Sequence, residues 1–170
     1  GNTAATWAAR LGAEVTIVER DIMGGAAHLL DCIPSKAMIA TGGAVSATKR
    51  FAGMGLEQQT AEIDVEHLAE RIEGIRTRLE NTTTQLLDSQ GIRIIRGEAS
   101  FVDAHTVLVR TAAGEERIEA DAFIIATGSR PRIPQWCTPD GERILTTREC
   151  YPPKIFPKSI AVVGSGVTGV

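Results

Sequence analysis

The sequence predicts an α/β fold in which helices cover a parallel sheet and an antiparallel meander is inserted between its strands. Three observations lead to this prediction. Short apolar runs rich in β-branched residues, such as Val15–Val18, alternate with helical segments. A long amphipathic pattern begins at Asp64, and several short strands follow it in succession. A glycine-rich turn, residues 164–169, comes directly after the last apolar run.

The first segment has the pattern of the middle of a βαβ unit. Residues 2–11 are rich in alanine and end before Gly12, which is typical of a helix that packs close to a sheet. The strand Val15–Val18 follows, and Glu19 stands at its end. In nucleotide-binding βαβ units an acid at this position accepts hydrogen bonds from a ribose. An ordinary solvated acid at a strand end is the alternative.

Further along the chain, the pattern predicts two helices and a set of strands. Pro34 suits the first turn of a helix that runs to about Lys49. Asp64 is a good N-cap for a longer helix, which Gly91 ends. We expect strands at residues 92–95, 99–102, 106–110, 117–120, 123–126 and 160–163, of which the last two are buried and those within residues 99–120 form the meander.

Composition excludes several functional classes. The net charge is −3 and the basic residues are scattered, so neither nucleic acid nor an anionic membrane surface is an expected partner. No apolar run is long enough for a membrane span. Cys32, Cys137 and Cys150 have no metal-ligand spacing, so we predict no metal site. So few cysteines, in an odd number, suggest a reducing compartment, and we expect a cytoplasmic location.

The most specific motif is Gly24–Lys36, with the sequence GGAAHLLDCIPSK. It resembles the redox-active segment of the flavoprotein disulfide reductases, the family of lipoamide dehydrogenase and glutathione reductase. The pattern of that family is Gly-Gly-Thr-Cys, four residues, then Cys-Ile-Pro-Ser-Lys. Cys32 matches the second cysteine, but Ala27 stands in place of the first. A lone thiol cannot form the internal disulfide that relays electrons to a disulfide substrate.

Two further motifs extend the resemblance to the whole chain. Ala126-Thr127-Gly128 is similar to the Ala-Thr-Gly signature of flavoproteins with two dinucleotide sites, and Gly164-x-Gly166-x-x-Gly169 is a dinucleotide fingerprint. The resemblance implies a three-layer ββα Rossmann-like domain that binds FAD and NAD(P), with the meander inserted, truncated at both ends. Residues 1–150 would be the FAD-binding domain without its first strand. Residues 151–170 would be a linker and the start of the NAD(P)-binding domain.

The resemblance also implies site residues. Cys32 would lie beside flavin C4a, and Lys36 near flavin N5, where a cation stabilises negative charge; these two are the expected catalytic residues. Cys32 as a small buried residue without a role in turnover, and Lys36 as a surface lysine, are the alternatives. The other expected cofactor-binding residues are Gly1, Glu19, Arg20, Gly24, Gly25, Ala26, Ala99, Ala126, Thr127 and Gly128 for FAD, and Gly164, Gly166 and Gly169 of the second fingerprint.

The missing thiol directs the functional expectation. The motifs are most similar to an actinobacterial branch of the family whose members lack the dithiol and act as NAD(P)H:quinone reductases. We therefore expect an FAD-dependent NAD(P)H dehydrogenase (quinone), homodimeric when full length, that reduces a quinone-like acceptor. Dihydrolipoyl dehydrogenase is the alternative enzyme. A non-catalytic FAD-binding subunit, or a redox sensor that uses Cys32, is the alternative of another class. Residues 1–170 alone are expected to be inactive and to bind FAD weakly.

Overall fold

The computed structural model describes residues 1–57, 60–166 and 168–169. Its first 119 residues contain both helices and strands: a helix and a strand come first, two further helices follow, and four strands end the series. The elements are, in chain order, α1 (Asn2–Arg10), β1 (Thr16–Glu19), a π-helical turn (Ala27–Cys32), α2 (Ile33–Thr48), a 3₁₀ turn (Phe51–Met54), α3 (Val65–Ser89), β2 (Arg93–Arg96), β3 (Glu98–Phe101), β4 (Thr106–Thr111) and β5 (Gly114–Glu119).

The chain divides into two compact units. The first unit comprises residues 1–26 and 78–129, and the second comprises residues 27–77 and 130–170. Helix α3 begins in the second unit and ends in the first. Among the residues that the structure describes, no helix is both long and apolar enough to cross a membrane.

A two-stranded parallel sheet lies at the centre of the first unit. Strands β1 and β2 pair in register, from Thr16 opposite Arg93 to Glu19 opposite Arg96. The β-branched side chains of β1 and the end of α3 share a core with α1. The buried members of this core are Ala5, Met23, Leu87 and Ile92. The small side chain of Ala5 lets α1 approach the sheet closely, as the alanine-rich sequence predicts.

The inserted meander is confirmed. Strands β3, β4 and β5 form an antiparallel sheet with β4 in the middle, where Val107 and Val109 are buried. These valines pack with Ile95 of β2, so the meander and the parallel pair share a second core. Half-buried and exposed residues alternate from Glu116 to Glu119 of β5, which follows from the two-residue period of a strand.

The predicted helices are confirmed with their ends. Asp64 Oδ1 accepts a hydrogen bond from the His67 amide at 3.0 Å, which is the N-cap contact expected for α3. This amide also lowers the pKa of Asp64. Gly91 has φ +71°, a left-handed conformation that ends the helix. Pro34 lies in the first turn of α2, where it breaks no helical hydrogen bond.

The predictions of buried strands at residues 123–126 and 160–163 are wrong. Neither segment is a strand, and Ile124 and Ile125 are 71% and 72% exposed. Val162 and Val163 are exposed as well. In the described part of the chain the ladders join only β1 to β2 and β3 to β4 to β5, so these segments have no strand beside them. Burial of an apolar run depends on such neighbours, which a local pattern cannot supply.

Gly97 stands between β2 and β3, where two backbones approach each other closely. A Cβ added at this position would lie 2.5 Å from the Arg110 carbonyl oxygen and 2.9 Å from Val109 Cγ1. The Gly97 amide donates a hydrogen bond to the Glu19 carbonyl at 3.0 Å. Only a residue without a side chain fits between the end of β1 and the middle strand of the meander.

Replacing Gly97 with alanine should therefore destabilise the protein by about 1–3 kcal/mol, because the backbone of β4 has to move. Urea unfolding measures this as a lower midpoint. The control is Gly74→Ala on the exposed face of α3, where an added Cβ meets nothing within 4 Å. That change should be neutral or stabilise by up to about 1 kcal/mol. Equal midpoints for the two variants would contradict the close packing at Gly97.

A carboxylate organises the turn at residues 140–144 in the second unit. Asp140 Oδ1 accepts hydrogen bonds from the amides of Ile144, Glu142 and Arg143 at 2.8–2.9 Å. These three donors lower the pKa of Asp140 to about 2. A depressed pKa means that the ionised form holds the turn together, so this contribution is complete above the ordinary value of 3.8 and is lost as the pH falls through about 2.

The amide chemical shifts of residues 142–144 should accordingly titrate with a midpoint near pH 2, because protonation of Asp140 removes their acceptor. NMR spectra recorded between pH 5 and about pH 1.5 measure the midpoint. Asp140→Asn has no carboxyl to titrate, and the transition should disappear. A midpoint close to 3.8 in the unaltered protein would show that the three amide contacts do not form.

Candidate functional site

Several candidate residues of the first unit, Glu19 to Ala26, lie at the end of β1 or in the loop that follows it. Gly1 lies against Ala126, since a Cβ added to Gly1 would be 3.7 Å from the Ala126 Cβ. Glu19 ends β1, and its Oε1 accepts the Asp21 amide hydrogen at 2.8 Å. Its backbone carbonyl accepts the Gly97 amide. The acid is thus held by its own loop at the carboxyl end of a parallel strand, which is the edge where such sheets bind ligands.

Arg20 connects this edge to the meander. Its guanidinium forms an ion pair with Glu98, the first residue of β3. The next residue, Ala99, pairs with Val109 of β4 and is exposed. The expected FAD residues Arg20 and Ala99 are therefore brought to neighbouring places. The ion pair is largely exposed on both sides, so it contributes little to stability.

The loop after β1 carries two glycines in left-handed conformations. Gly24 has φ +112° and Gly25 has φ +90°, values that other residues adopt only with strain. The Gly25 amide donates to the Ile22 carbonyl at 3.2 Å. Met23 is 1% exposed and belongs to the core, so the loop is anchored one residue before the glycines. Ala26, after them, is half-buried.

Glu80 and Arg96 hold this loop through hydrogen bonds to its backbone. The sequence analysis did not identify either residue. Glu80 Oε1 accepts hydrogen bonds from the Met23 amide at 3.0 Å and from Arg96 Nη2 at 2.9 Å. Arg96 Nη1 also donates to the Asp21 carbonyl at 3.4 Å. The partners of Glu80 lie 57 and 16 residues away in the sequence, so no local motif marks it.

The Ala126-Thr127-Gly128 segment is exposed and has no strand before it. Gly128 has φ +67°, and a Cβ added to it would meet nothing within 4 Å. The same holds for Gly25. Exposed glycine backbone with open space beside it is what a ligand that approaches the main chain closely requires.

The second unit contains the redox-like segment. Cys32 is exposed at the end of the π-helical turn, and its carbonyl accepts a hydrogen bond from Ser35 Oγ at 3.2 Å. Lys36 is exposed in the first turn of α2. A π-helical turn is rare and is frequently found at functional sites. The π-helical turn comprises the six residues Ala27–Cys32. It directly precedes α2, which has Pro34 in its first turn.

A cavity of about 370 Å³ lies beside this segment within the second unit. Leu29, Leu30 and Pro34 line it together with Tyr151 and Pro152. Burial raises the pKa of Tyr151, and the neighbouring Cys150 adds to that shift, so the phenol stays protonated at neutral pH. Most of the lining residues are apolar or aromatic, and the charged residues Glu70, Glu73, Arg76 and Arg148 line the cavity as well. Small-molecule sites commonly combine an apolar wall with a few polar groups in this way.

Two polar groups near Tyr151 define the surroundings further. Burial raises the pKa of Cys150, and its thiol has a hydrogen bond with Tyr151. Asp31, next to Cys32, raises the pKa of both Cys150 and Tyr151 through its charge. Asp31 Oδ1 is buried without a hydrogen-bond partner in the described residues. No cluster of metal-ligating side chains occurs in the part of the chain described.

The second glycine fingerprint has the predicted turn, although the strand before it is absent. Gly164 has φ +124°, and the Gly169 amide donates to the Gly166 carbonyl at 2.9 Å. A Cβ added to Gly169 would overlap the Gly164 carbonyl oxygen. Two of the three glycines are thus required by the backbone itself. The expected FAD residues lie in the first unit, and Cys32, Lys36 and this fingerprint lie in the second.

Comparisons with known proteins identify relatives of the chain. The chain is 36% identical over 165 residues to the NAD(P)H dehydrogenase (quinone) of Mycobacterium tuberculosis, covering 92% of the chain and 34% of that protein. It is 34% identical to dihydrolipoyl dehydrogenase 2 of Haloarcula marismortui, covering 100% of the chain and 36% of that protein. The crystal structure of LpdA from Mycobacterium tuberculosis matches with a TM-score of 0.80 and 33% identity, covering 89% of the chain and 34% of that structure.

The chain spans about a third of the length of the curated relatives it matches. The predicted FAD/NAD(P)-binding fold and the family resemblance are confirmed by the structural match and by the family profile. That profile, described as pyridine nucleotide-disulphide oxidoreductase, matches residues 1–170. The chain belongs to the pyridine nucleotide-disulphide oxidoreductase family.

Proposed function

We propose that the protein is a flavin-dependent NAD(P)H dehydrogenase (quinone), which takes hydride from NAD(P)H and passes electrons to a quinone-like acceptor. The observation that carries this proposal is Ala27, five residues before Cys32, at the opposite end of the π-helical turn. A methyl group at that position leaves Cys32 without the thiol that disulfide exchange requires. Electrons from the flavin then have to reach the acceptor directly.

The first unit supports FAD as the cofactor. We propose that Gly1, Gly24, Gly25 and Ala26 meet the dinucleotide through their backbone, with Glu19 at the ribose. In the same proposal Arg20 and Ala99 lie at the adenosine end, and Ala126, Thr127 and Gly128 at the flavin end. Bound FAD would supply two-electron chemistry that no side chain provides. The support comes from the left-handed glycines and the open space at Gly25 and Gly128.

In the second unit we assign roles to Cys32 and Lys36. The ammonium of Lys36 would stabilise negative charge on the reduced cofactor, because a fixed cation offsets charge that develops during reduction. Cys32 would contribute a contact to the flavin but no bond to a substrate. Gly164, Gly166 and Gly169 would receive the NAD(P)H pyrophosphate, since their turn brings bare backbone to the surface.

The cavity beside the π-helical turn is the place we propose for the acceptor. Its apolar wall of Leu29, Leu30 and Pro34 suits a flat aromatic ring, and its volume of about 370 Å³ is within the range of small-molecule sites. The phenol of Tyr151 stays protonated, because burial raises its pKa. A protonated phenol can share a hydrogen bond with a quinone carbonyl.

The remaining assignments complete the proposal. Residues 1–150 would form an FAD-binding domain, and residues 151–170 a linker and the start of an NAD(P)-binding domain. The working enzyme would be a cytoplasmic homodimer. Its expected acceptor is a small molecule. Nucleic acid is not an expected partner, because a net charge of −3 gives no electrostatic basis for binding it.

Dihydrolipoyl dehydrogenase is the second candidate, because Cys150 is a further thiol in the same unit as Cys32. Burial raises the pKa of Cys150, so at neutral pH it is mostly a thiol and a poor nucleophile. It has no place in the Cys-x4-Cys spacing from which the family resemblance derives its dithiol. The quinone assignment therefore has the stronger support.

The direct test compares two acceptors with the flavin-loaded protein, expressed together with any residues that flank this sequence in its gene. With NADH or NADPH as donor, kcat/KM for 1,4-naphthoquinone should exceed that for lipoamide at least about a hundredfold, because lipoamide reduction proceeds by thiol–disulfide exchange. Efficient lipoamide turnover by the unaltered protein would contradict the proposal.

The matched variant is Ala27→Cys, which restores the missing thiol. It should gain lipoamide reduction while its naphthoquinone turnover stays within about threefold of the unaltered protein, a change of less than 1 kcal/mol in transition-state stabilisation. Cys32→Ser in the unaltered protein should leave naphthoquinone turnover in place. Loss of quinone turnover in Cys32→Ser with flavin still bound would show that the thiol is required for turnover, which contradicts the proposed role.

A further inference from the structure

The loop Arg20–Gly25 is held by one carboxylate that belongs to a different part of the chain. Glu80 Oε1 accepts the Met23 amide at 3.0 Å and Arg96 Nη2 at 2.9 Å, and its side chain is 26% exposed. Arg96 in turn donates to the Asp21 carbonyl. A single group on α3 thus bridges the loop and the end of β2.

Met23 is fixed from two sides. Its side chain is 1% exposed, in the core with Ala5, Leu87 and Ile92, while its amide donates to Glu80. Removing the acceptor would leave a partly buried amide without a partner, which costs more than the hydrogen bond itself contributes. The hydrogen bond is also charge-assisted, and such bonds are roughly twice as strong as neutral ones.

Directly after Met23 the backbone has high intrinsic conformational freedom, because the next two residues are glycines. Gly24 and Gly25 are adjacent and both have positive φ, so many other conformations are open to them at small energetic cost. The conformation observed depends on the anchor that precedes them. Ordering such a pair only when a ligand binds would subtract from the binding free energy.

We propose that Glu80 is a positioning residue for the loop Arg20–Gly25. Through this loop, Glu80 controls flavin affinity without touching the cofactor. The inference rests on the proposed function, since it takes FAD as the ligand of Gly24 and Gly25. Arg96 has a second part in it: its guanidinium neutralises the Glu80 carboxylate, so that the anchor places no unpaired negative charge near an anionic pyrophosphate.

The test is a titration of the apoprotein, carrying its natural flanking residues, with FAD well below the melting temperature of each variant. Glu80→Ala should raise the Kd for FAD about tenfold, because the competent loop conformation is then one of many. Glu80→Gln keeps an oxygen that accepts the Met23 amide, and its Kd should stay within about threefold. The control Glu115→Ala removes a surface ion pair with Arg110 in the meander and should leave the Kd unchanged.

Amide hydrogen exchange separates positioning from general stability. In apo Glu80→Ala, exchange at Met23 and Gly25 should speed up while exchange at Leu108 in β4 stays the same. An unchanged Kd in Glu80→Ala, or an equal loss in Glu80→Gln, would overturn the inference although the unaltered protein binds FAD tightly. Failure of the unaltered protein to bind FAD would instead overturn the proposed function, and this inference with it.

Discussion

The arrangement of the first unit depends on the close approach at Gly97. The Gly97 amide donates a hydrogen bond to the Glu19 carbonyl, and the same residue packs against the backbone of Arg110 in β4. One residue therefore sets the distance between the parallel pair and the meander. A side chain at Gly97 would push the two apart and would move Glu19, the residue that we propose for the ribose. Core packing and the candidate site thus share one steric requirement.

Patterns of short range predicted most of this structure. The alanine-rich α1, the N-cap at Asp64 and the meander all follow from contacts within a few residues or from a two-residue period. The apolar runs at 123–126 and 160–163 were mistaken for buried strands, because burial depends on neighbours that the local pattern does not contain. Glu80 escaped notice for the related reason that its partners are distant in sequence. The glycines were easier to interpret, because tolerance of positive φ is a property of glycine itself. Gly24, Gly128 and Gly164 all have positive φ.

Most of the ion pairs described contribute little to the free energy of unfolding. The ion pairs of Arg20, Arg93 and Arg110 are largely exposed and contribute little. Two carboxylates act differently, because each accepts backbone amides: Asp140 organises its own turn, and Glu80 holds a loop formed by a remote segment. The thiol of Cys32 is a third kind of feature, because the proposed function depends on the thiol that is missing at Ala27.

The central claim is that a flavin, without a partner dithiol, stores the electrons in this protein. Anaerobic titration of the flavin-loaded protein with dithionite, followed by the flavin absorbance, tests it most directly. Full reduction should consume two electrons per bound flavin, because a single thiol accepts none. A requirement for four electrons per flavin would reveal a redox-active disulfide and contradict the account.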